Sequence, residues 1–283
     1  MEDLYFNEVV TMEKEVLRYE NTICPIDTKF LHADQCTFSV LIRILSMKCN
    51  LTITDNKNNF IICHSSSPYP IWIWTHNNID EKEKEYIYQL TKENFDISKE
   101  KFNMKYLLAE YFIKRAKEDN IEIKTVTNLL AYSCQKLITP TREFTGFVEM
   151  ATINDIDEVT SLLSDFHNDI GIDISSENTY KEHASNYIKD QKFFFWNNGN
   201  ERVACCSYNE MDNQCSINNV FTKHKHRRCG YASLLVYKIS KQIIDLGKTP
   251  TLYTDADYSA SNSCYTKIGF VPQGTLCTIG SNS

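Results

Sequence analysis

The densest chemistry in the sequence lies in Val220-Phe221-Thr222-Lys223-His224-Lys225-His226-Arg227-Arg228-Cys229-Gly230-Tyr231-Ala232. A β-prone stretch runs into a basic turn, which opens directly into an amphipathic helix pattern. Such a turn aims unpaired backbone N–H groups and the positive end of a helix dipole at one point. That is a site for phosphate or pyrophosphate. Gly230 lets the backbone approach a ligand closely, and Ala232 keeps the first turn uncluttered. Arg227 and Arg228 add positive charge. Two other readings stand beside this one: a solvated basic turn, or a nucleic-acid or targeting patch on the unbroken run Lys223 to Arg228. The placement between a strand and a glycine-opened helix favours the anion site.

A second block follows about 30 residues downstream: Leu252-Tyr253-Thr254-Asp255, then Ser261-Asn262-Ser263-Cys264-Tyr265-Thr266-Lys267-Ile268-Gly269-Phe270. Taken with Arg227-x-x-Gly230-x-Ala232, this resembles the GNAT N-acetyltransferase superfamily. Its members carry an Arg/Gln-x-x-Gly-x-Gly/Ala turn and a Ser-Asn-x-x-Tyr-x-Lys-Ile-Gly-Phe block after the fifth strand. The resemblance spans about Val148 to Ile279. It implies acetyl-CoA as cosubstrate and direct acetyl transfer to an amine of a small-molecule or peptide acceptor. It implies that the turn from Arg227 through Arg228, Cys229, Gly230, Tyr231 and Ala232 to Ser233 holds the pyrophosphate. Val220, Phe221 and Thr222 would run beside the pantetheine arm like a neighbouring strand, with the Val220 N–H in an oxyanion-hole role. Asn262 matches a residue that hydrogen-bonds the cofactor arm, and Tyr265 matches the tyrosine that donates a proton to the departing thiolate. Tyr258 departs from the pattern, standing where many members have asparagine. The alternative is a non-catalytic acyl-CoA-binding or sensing module.

An alkyl amine with a pKa near 10.4 must lose a proton before it attacks. The strand Cys215 to Thr222 holds no carboxylate. Glu210, Asp255 and His167 are candidate bases, and the sequence does not choose among them. The histidines show no zinc-ligand spacing, so no metal is expected. Cys205, Cys206 and Ser207 have no evident His and acid partners, which argues against a covalent nucleophile.

These residues need a scaffold. The chain has 283 residues, of which 42% are hydrophobic and 24% charged, values of a folded protein with about two domains. The breakers Pro140 and Gly146 mark a boundary, giving domains 1–145 and 146–283. In the second, apolar spacing predicts a helix after an N-cap at Asn154, a helix over Glu177 to Lys189 and strands Phe193 to Trp196, Val203 to Tyr208 and Cys215 to Thr222. Helix Tyr231 to Leu246 follows, with an apolar face of Leu235, Ile239, Ile243 and Leu246. Then come strand Thr251 to Thr254, helix Ser259 to Ile268, and two strands at Phe270-Val271 and Leu276 to Ile279. The fold class reads as α/β with a mixed central sheet, and the resemblance implies a sheet of the GNAT type in the C-terminal half. The first half reads as strand Ile71 to Trp74, helices Glu81 to Tyr88 and Met104 to Lys117, and strand Ile121 to Thr127. It resembles the degenerate GNAT-like N-terminal domain of two-domain members. It lacks a phosphate-binding turn, and its expected role is to shape the acceptor pocket.

Composition excludes other classes. Thirty Lys plus Arg against 37 Asp plus Glu leave a net charge of -7. That disfavours nucleic acid as a partner and mildly favours cationic acceptors. The longest strongly apolar stretches have four residues, so no membrane partner is expected. Eleven cysteines without a Cys-x-x-Cys pair read as reduced thiols of a cytoplasmic protein. Oligomeric state is not legible.

Overall fold

The computed structural model describes residues 15–141, 145–171 and 176–281. The first half lays down β1 (Val16–Ile23), a short 3-10 segment, α1 (Ser39–Leu45), β2 (Lys48–Asp55), β3 (Phe60–His64) and β4 (Ile71–Thr75). It continues with α2 (Glu81–Asn94), β5 (Phe102–Met104), α3 (Tyr106–Glu118) and β6 (Lys124–Ser133). The second half follows the same plan. It has β7 (Phe147–Met150), α4 (Ile156–Asp169), α5 (Glu177–Lys189), β8 (Phe193–Asn197), β9 (Arg202–Met211) and β10 (Gln214–Thr222). Then come α6 (Tyr231–Asp245), β11 (Thr249–Asp255), α7 (Ser259–Lys267) and β12 (Val271–Gly280).

All these strands share one sheet, ordered β1-β2-β3-β4-β5-β12-β6-β11-β10-β9-β8-β7. Two neighbouring pairs are parallel, one in each half: β4 with β5 across α2, and β10 with β11 across α6. The last strand of each half crosses to the other. Strand β6 lies between β11 and β12, while β12 also pairs with β5. Hydrogen-bonded ladders therefore run across the boundary placed at residue 145.

Several elements differ from the sequence reading in extent. Met104 ends a strand, and α3 starts at Tyr106. The strand expected at Ile121 to Thr127 runs from Lys124 to Ser133. The two short C-terminal strands are one strand, irregular between Pro272 and Gly274, where proline brings no N–H to the ladder. Leu235, Ile239 and Ile243 are buried as their spacing predicts, whereas Leu246 stands past the end of α6 and is exposed. The entry to α4 is capped by Thr152 and Asp155 rather than by Asn154. No helix among the described residues is long and apolar enough to cross a membrane.

In the second half, α6 packs on one face of the sheet and α4 with α5 on the other. Residues 35–43 of the first half reach that second face beside β9, β10 and β11. Tyr253 Oη donates to the Thr37 carbonyl (2.8 Å) and accepts from Ser39 Oγ (3.1 Å). Gln35 Nε2 donates to Asn213 Oδ1 at 2.9 Å. A fragment of residues 146–283 lacks β6 and leaves an edge of β11 bare, a template for aggregation. We expect this fragment to show no cooperative thermal transition by circular dichroism while the full chain does. A native-like transition in the fragment would show that the exchanged strand is dispensable.

Candidate active site

Strands β10 and β11 pair only where Gln214–Ile217 lies against Thr249–Leu252. Beyond that point β10 stays with β9, and β11 stays with β6 as far as Asp255. The parting coincides with a register shift between Asn218 and Phe221. Asn219 is left-handed there (φ 52°), a conformation asparagine tolerates better than most residues. Its Nδ2 donates to the fully buried Ser207 Oγ at 2.7 Å. Past the shift, Lys223 N–H donates to the Val203 carbonyl. Thr222 and Ala204, one step away, form a non-hydrogen-bonded pair, so Thr222 turns its backbone polar groups toward the gap. Val220 lies in the bulge itself.

The turn after β10 has two left-handed residues, Arg228 (φ 63°) and Gly230 (φ 87°), flanking Cys229. The first backbone bond of α6 runs from Leu234 N–H to the Gly230 carbonyl. The N–H groups of Arg228, Cys229, Gly230, Ala232 and Ser233 precede it and reach no backbone carbonyl among the described residues. No side chain caps the helix, and its first turn holds no acidic residue. The corresponding helix of the first half is built oppositely. Asp80 and Glu83 close the start of α2 with a reciprocal capping box, and Glu81 adds a further carboxylate. That end repels an anion; the start of α6 invites one.

Most of the basic run serves the protein. Lys223 pairs with Glu158 (3.1 Å), and Lys225 and His226 both pair with Glu201 (2.9 and 2.8 Å). Arg227, read from sequence as a cofactor contact, donates from Nη2 to Asp169 (2.6 Å) and from Nε to the Thr222 carbonyl (3.1 Å). Its guanidinium lies 5.5 Å from the Phe221 ring. Arg227 thus braces the strand end against α4. Arg228 is exposed and has no ion pair among the described residues.

Asn262 is committed as well: Nδ2 donates to the carbonyls of Asp255 (3.1 Å) and Ala256 (2.9 Å), and Oδ1 accepts from Tyr132 Oη (3.3 Å). It pins α7 to the end of β11. Tyr265 is 7% exposed, its ring set between Tyr132 and Phe270 at 6.5 and 6.1 Å. Burial holds its phenol well above the usual tyrosine pKa, so it carries its proton at neutral pH. Its Oη has no hydrogen-bond partner among the described residues. Ser233 and Cys264 join the first turn of α6 to α7. Tyr132 was not singled out in the sequence; it arrives on the exchanged strand β6.

Two of the three candidate bases are held by other side chains. Glu210 is held between Lys248 (2.7 Å) and Lys192 (3.2 Å), which lower its pKa. Asp255 is exposed and accepts from Asp257 N–H. His167 lies between α4 and α5 with Nδ1 3.1 Å from Tyr180 Oη, and burial lowers its pKa.

Residues 199–277 match the family model described as FR47-like protein. An acetyltransferase of the GNAT family from Colwellia psychrerythraea is similar in structure with a TM-score of 0.57. That match is 14% identical over 94% of this chain and 98% of that one. An N-acetyltransferase from Sphaerobacter thermophilus reaches a TM-score of 0.64 at 10% identity, covering 85% of this chain and 84% of that one. The chain has the GNAT fold. A Drosophila protein shares it, with a TM-score of 0.61, 11% identity and 88% of each chain covered. No curated protein matches the sequence. Within this GNAT fold, the segment matched by the family model contains both the parted strands and the open turn. The likeness to the solved structures extends over both halves.

Replacing Asn262 by alanine removes the donor to the Ala256 carbonyl and the acceptor of Tyr132 Oη, while the Asp255 carbonyl keeps the Tyr258 N–H. A loss of about 0.5–1.5 kcal/mol in urea unfolding is expected. An unchanged midpoint would show that Asn262 does not pin α7.

Proposed function

We propose that the protein transfers the acetyl group of acetyl-CoA to an amine. The observation that carries this reading is the uncapped start of α6 set at the mouth of the β10–β11 gap. The N–H groups of Arg228, Cys229, Gly230 and Ala232 hold the pyrophosphate, with Arg228 as the free side-chain charge. The gap receives the pantetheine arm along Thr222, and the bulge at Asn219 and Val220 brings backbone against the thioester. The amine nitrogen forms a bond to the acetyl carbon, the carbon–sulfur bond breaks, and the proton lost by nitrogen balances the one gained by sulfur. Tyr265 stays protonated and donates a hydrogen bond to the departing sulfur. Because its pKa is raised above that of a thiol, it stabilises the thiolate and keeps its own proton, and the sulfur takes up the proton that nitrogen loses.

The neutralised basic run supports this over nucleic-acid binding. Lys223, Lys225, His226 and Arg227 already face carboxylates, which leaves little charge for a phosphate backbone.

Isothermal titration should show acetyl-CoA binding that falls at least tenfold in Gly230→Val. A β-branched residue at φ 87° is strained by about 1–2 kcal/mol or more. Heat that is absent, or unchanged in the variant, would end the proposal. Tyr265→Phe should cut amine-dependent thiol release at least tenfold with cofactor affinity within about threefold. Binding without thiol release from any amine would favour the acyl-CoA-binding module instead.

A further inference from the structure

The first half reaches α7 through one short segment. Strand β6 runs between β11 and β12, with Tyr132 opposite Leu252 on one side and Pro272 on the other. The chain then passes along α7. Ile138 N–H donates to the Ile268 carbonyl at 3.0 Å, and a Cβ at Gly269 would collide with the Lys136 carbonyl. Backbone of residues 136–138 thus braces the C-terminal end of α7, and Tyr132 braces it nearer its start.

Tyr132 is 2% exposed and meets α7 twice. Its Oη donates to Asn262 Oδ1 at 3.3 Å, and its ring centroid lies 6.5 Å from that of Tyr265 in the same buried cluster. Asn262 and Tyr265 are three residues apart in α7, so they share one face of the helix, a turn apart. One side chain of the first half therefore packs against both residues that the sequence motif singles out.

The importance of this contact follows from what Tyr265 lacks. Its Oη has no hydrogen-bond partner among the described residues, so no polar contact aims the phenol. Its direction is set by the rings beside it, Tyr132 and Phe270, and by the seating of α7. A proton donor must stand within about 2.6–3.2 Å of its acceptor, and a misplacement of about 1 Å can cost about a hundredfold in rate. A phenylalanine at 132 would supply a ring alone. The hydroxyl adds the bond to the Asn262 amide, whose Nδ2 holds the carbonyls of Asp255 and Ala256.

We propose that Tyr132 is a positioning residue for acetyl transfer: its ring and hydroxyl together seat α7 so that Tyr265 Oη faces the departing sulfur. This rests on the acetyl transfer proposed above, and it gives the first half a part in the chemistry beyond completing the sheet.

The test uses the full-length protein, acetyl-CoA and the fastest-reacting amine from a panel of alkyl amines, polyamines, amino acids and dipeptides. Thiol release gives kcat and KM, and calorimetry gives acetyl-CoA affinity, all below the thermal transition of every variant. Tyr132→Phe should lower kcat about fivefold or more, with acetyl-CoA affinity within about threefold of the unmodified protein. The deciding comparison is a double-mutant cycle. In a Tyr265→Phe background, Tyr132→Phe should change kcat by less than about twofold, because the residue it positions no longer carries a hydroxyl. A merely structural role predicts the same fractional loss in both backgrounds. Unchanged kcat in Tyr132→Phe, or equal losses in the two backgrounds, overturns the assignment and leaves acetyl transfer standing. If no amine of the panel releases thiol, acetyl transfer falls first and this assignment with it.

Discussion

The left-handed turn at Asn219 is the constraint on which the rest depends. A parallel pair of strands ordinarily zips along its length, since each unmade ladder bond leaves buried polar groups to satisfy. Here the zipper stops after Ile217 and Leu252. Asn219 turns left-handed and anchors to Ser207, which keeps β10 on β9 past the bulge. Strand β11 needs another partner, and β6 of the first half supplies it. The exchanged strand and the gap are two sides of one arrangement: the gap stays open because β11 is held from its far side.

The same logic governs charge. Electrostatic attraction for an anion could come from side chains or from the backbone. In this chain the side chains of the basic run are mostly spent on Glu158, Glu201 and Asp169, which fix the turn against α4 and the β8–β9 hairpin. What remains without a backbone acceptor among the described residues is the set of amides of Arg228, Cys229, Gly230, Ala232 and Ser233, in a turn with Arg228 and Gly230 in the left-handed region. The first half shows the counter-case. Its crossover helix carries acidic residues at its start and closes itself with them, so one topology appears once open and once sealed.

Local features were legible in the sequence. The spacing of Leu235, Ile239 and Ile243 defines α6, Gly230 marks its start, and the block around Tyr265 marks α7. Each of these is a short-range signal. The Ile71 to Trp74 run was readable as a buried strand for the same reason. Long-range pairings were not. Nothing in Lys124 to Ser133 says that it will sit beside β11 instead of completing its own half, because strand pattern encodes which face is buried and not which partner is chosen. Tyr132 follows from that exchange, so it was invisible too. Arg227 and Asn262 were singled out by motif, yet their partners Asp169, Asp255 and Ala256 could be known only in three dimensions. The bulge was hidden because Asn218-Asn219 reads as two polar residues in a strand until Ser207 is placed opposite.

The central claim is that backbone amides at the start of α6 bind the pyrophosphate of coenzyme A. The most direct measurement is a titration of isotopically labelled protein with coenzyme A, followed by amide resonances. The account predicts the largest saturable shifts at Arg228, Cys229, Gly230 and Ala232, with the amides at the start of α2 unmoved. Saturable binding that leaves those four resonances in place would contradict it.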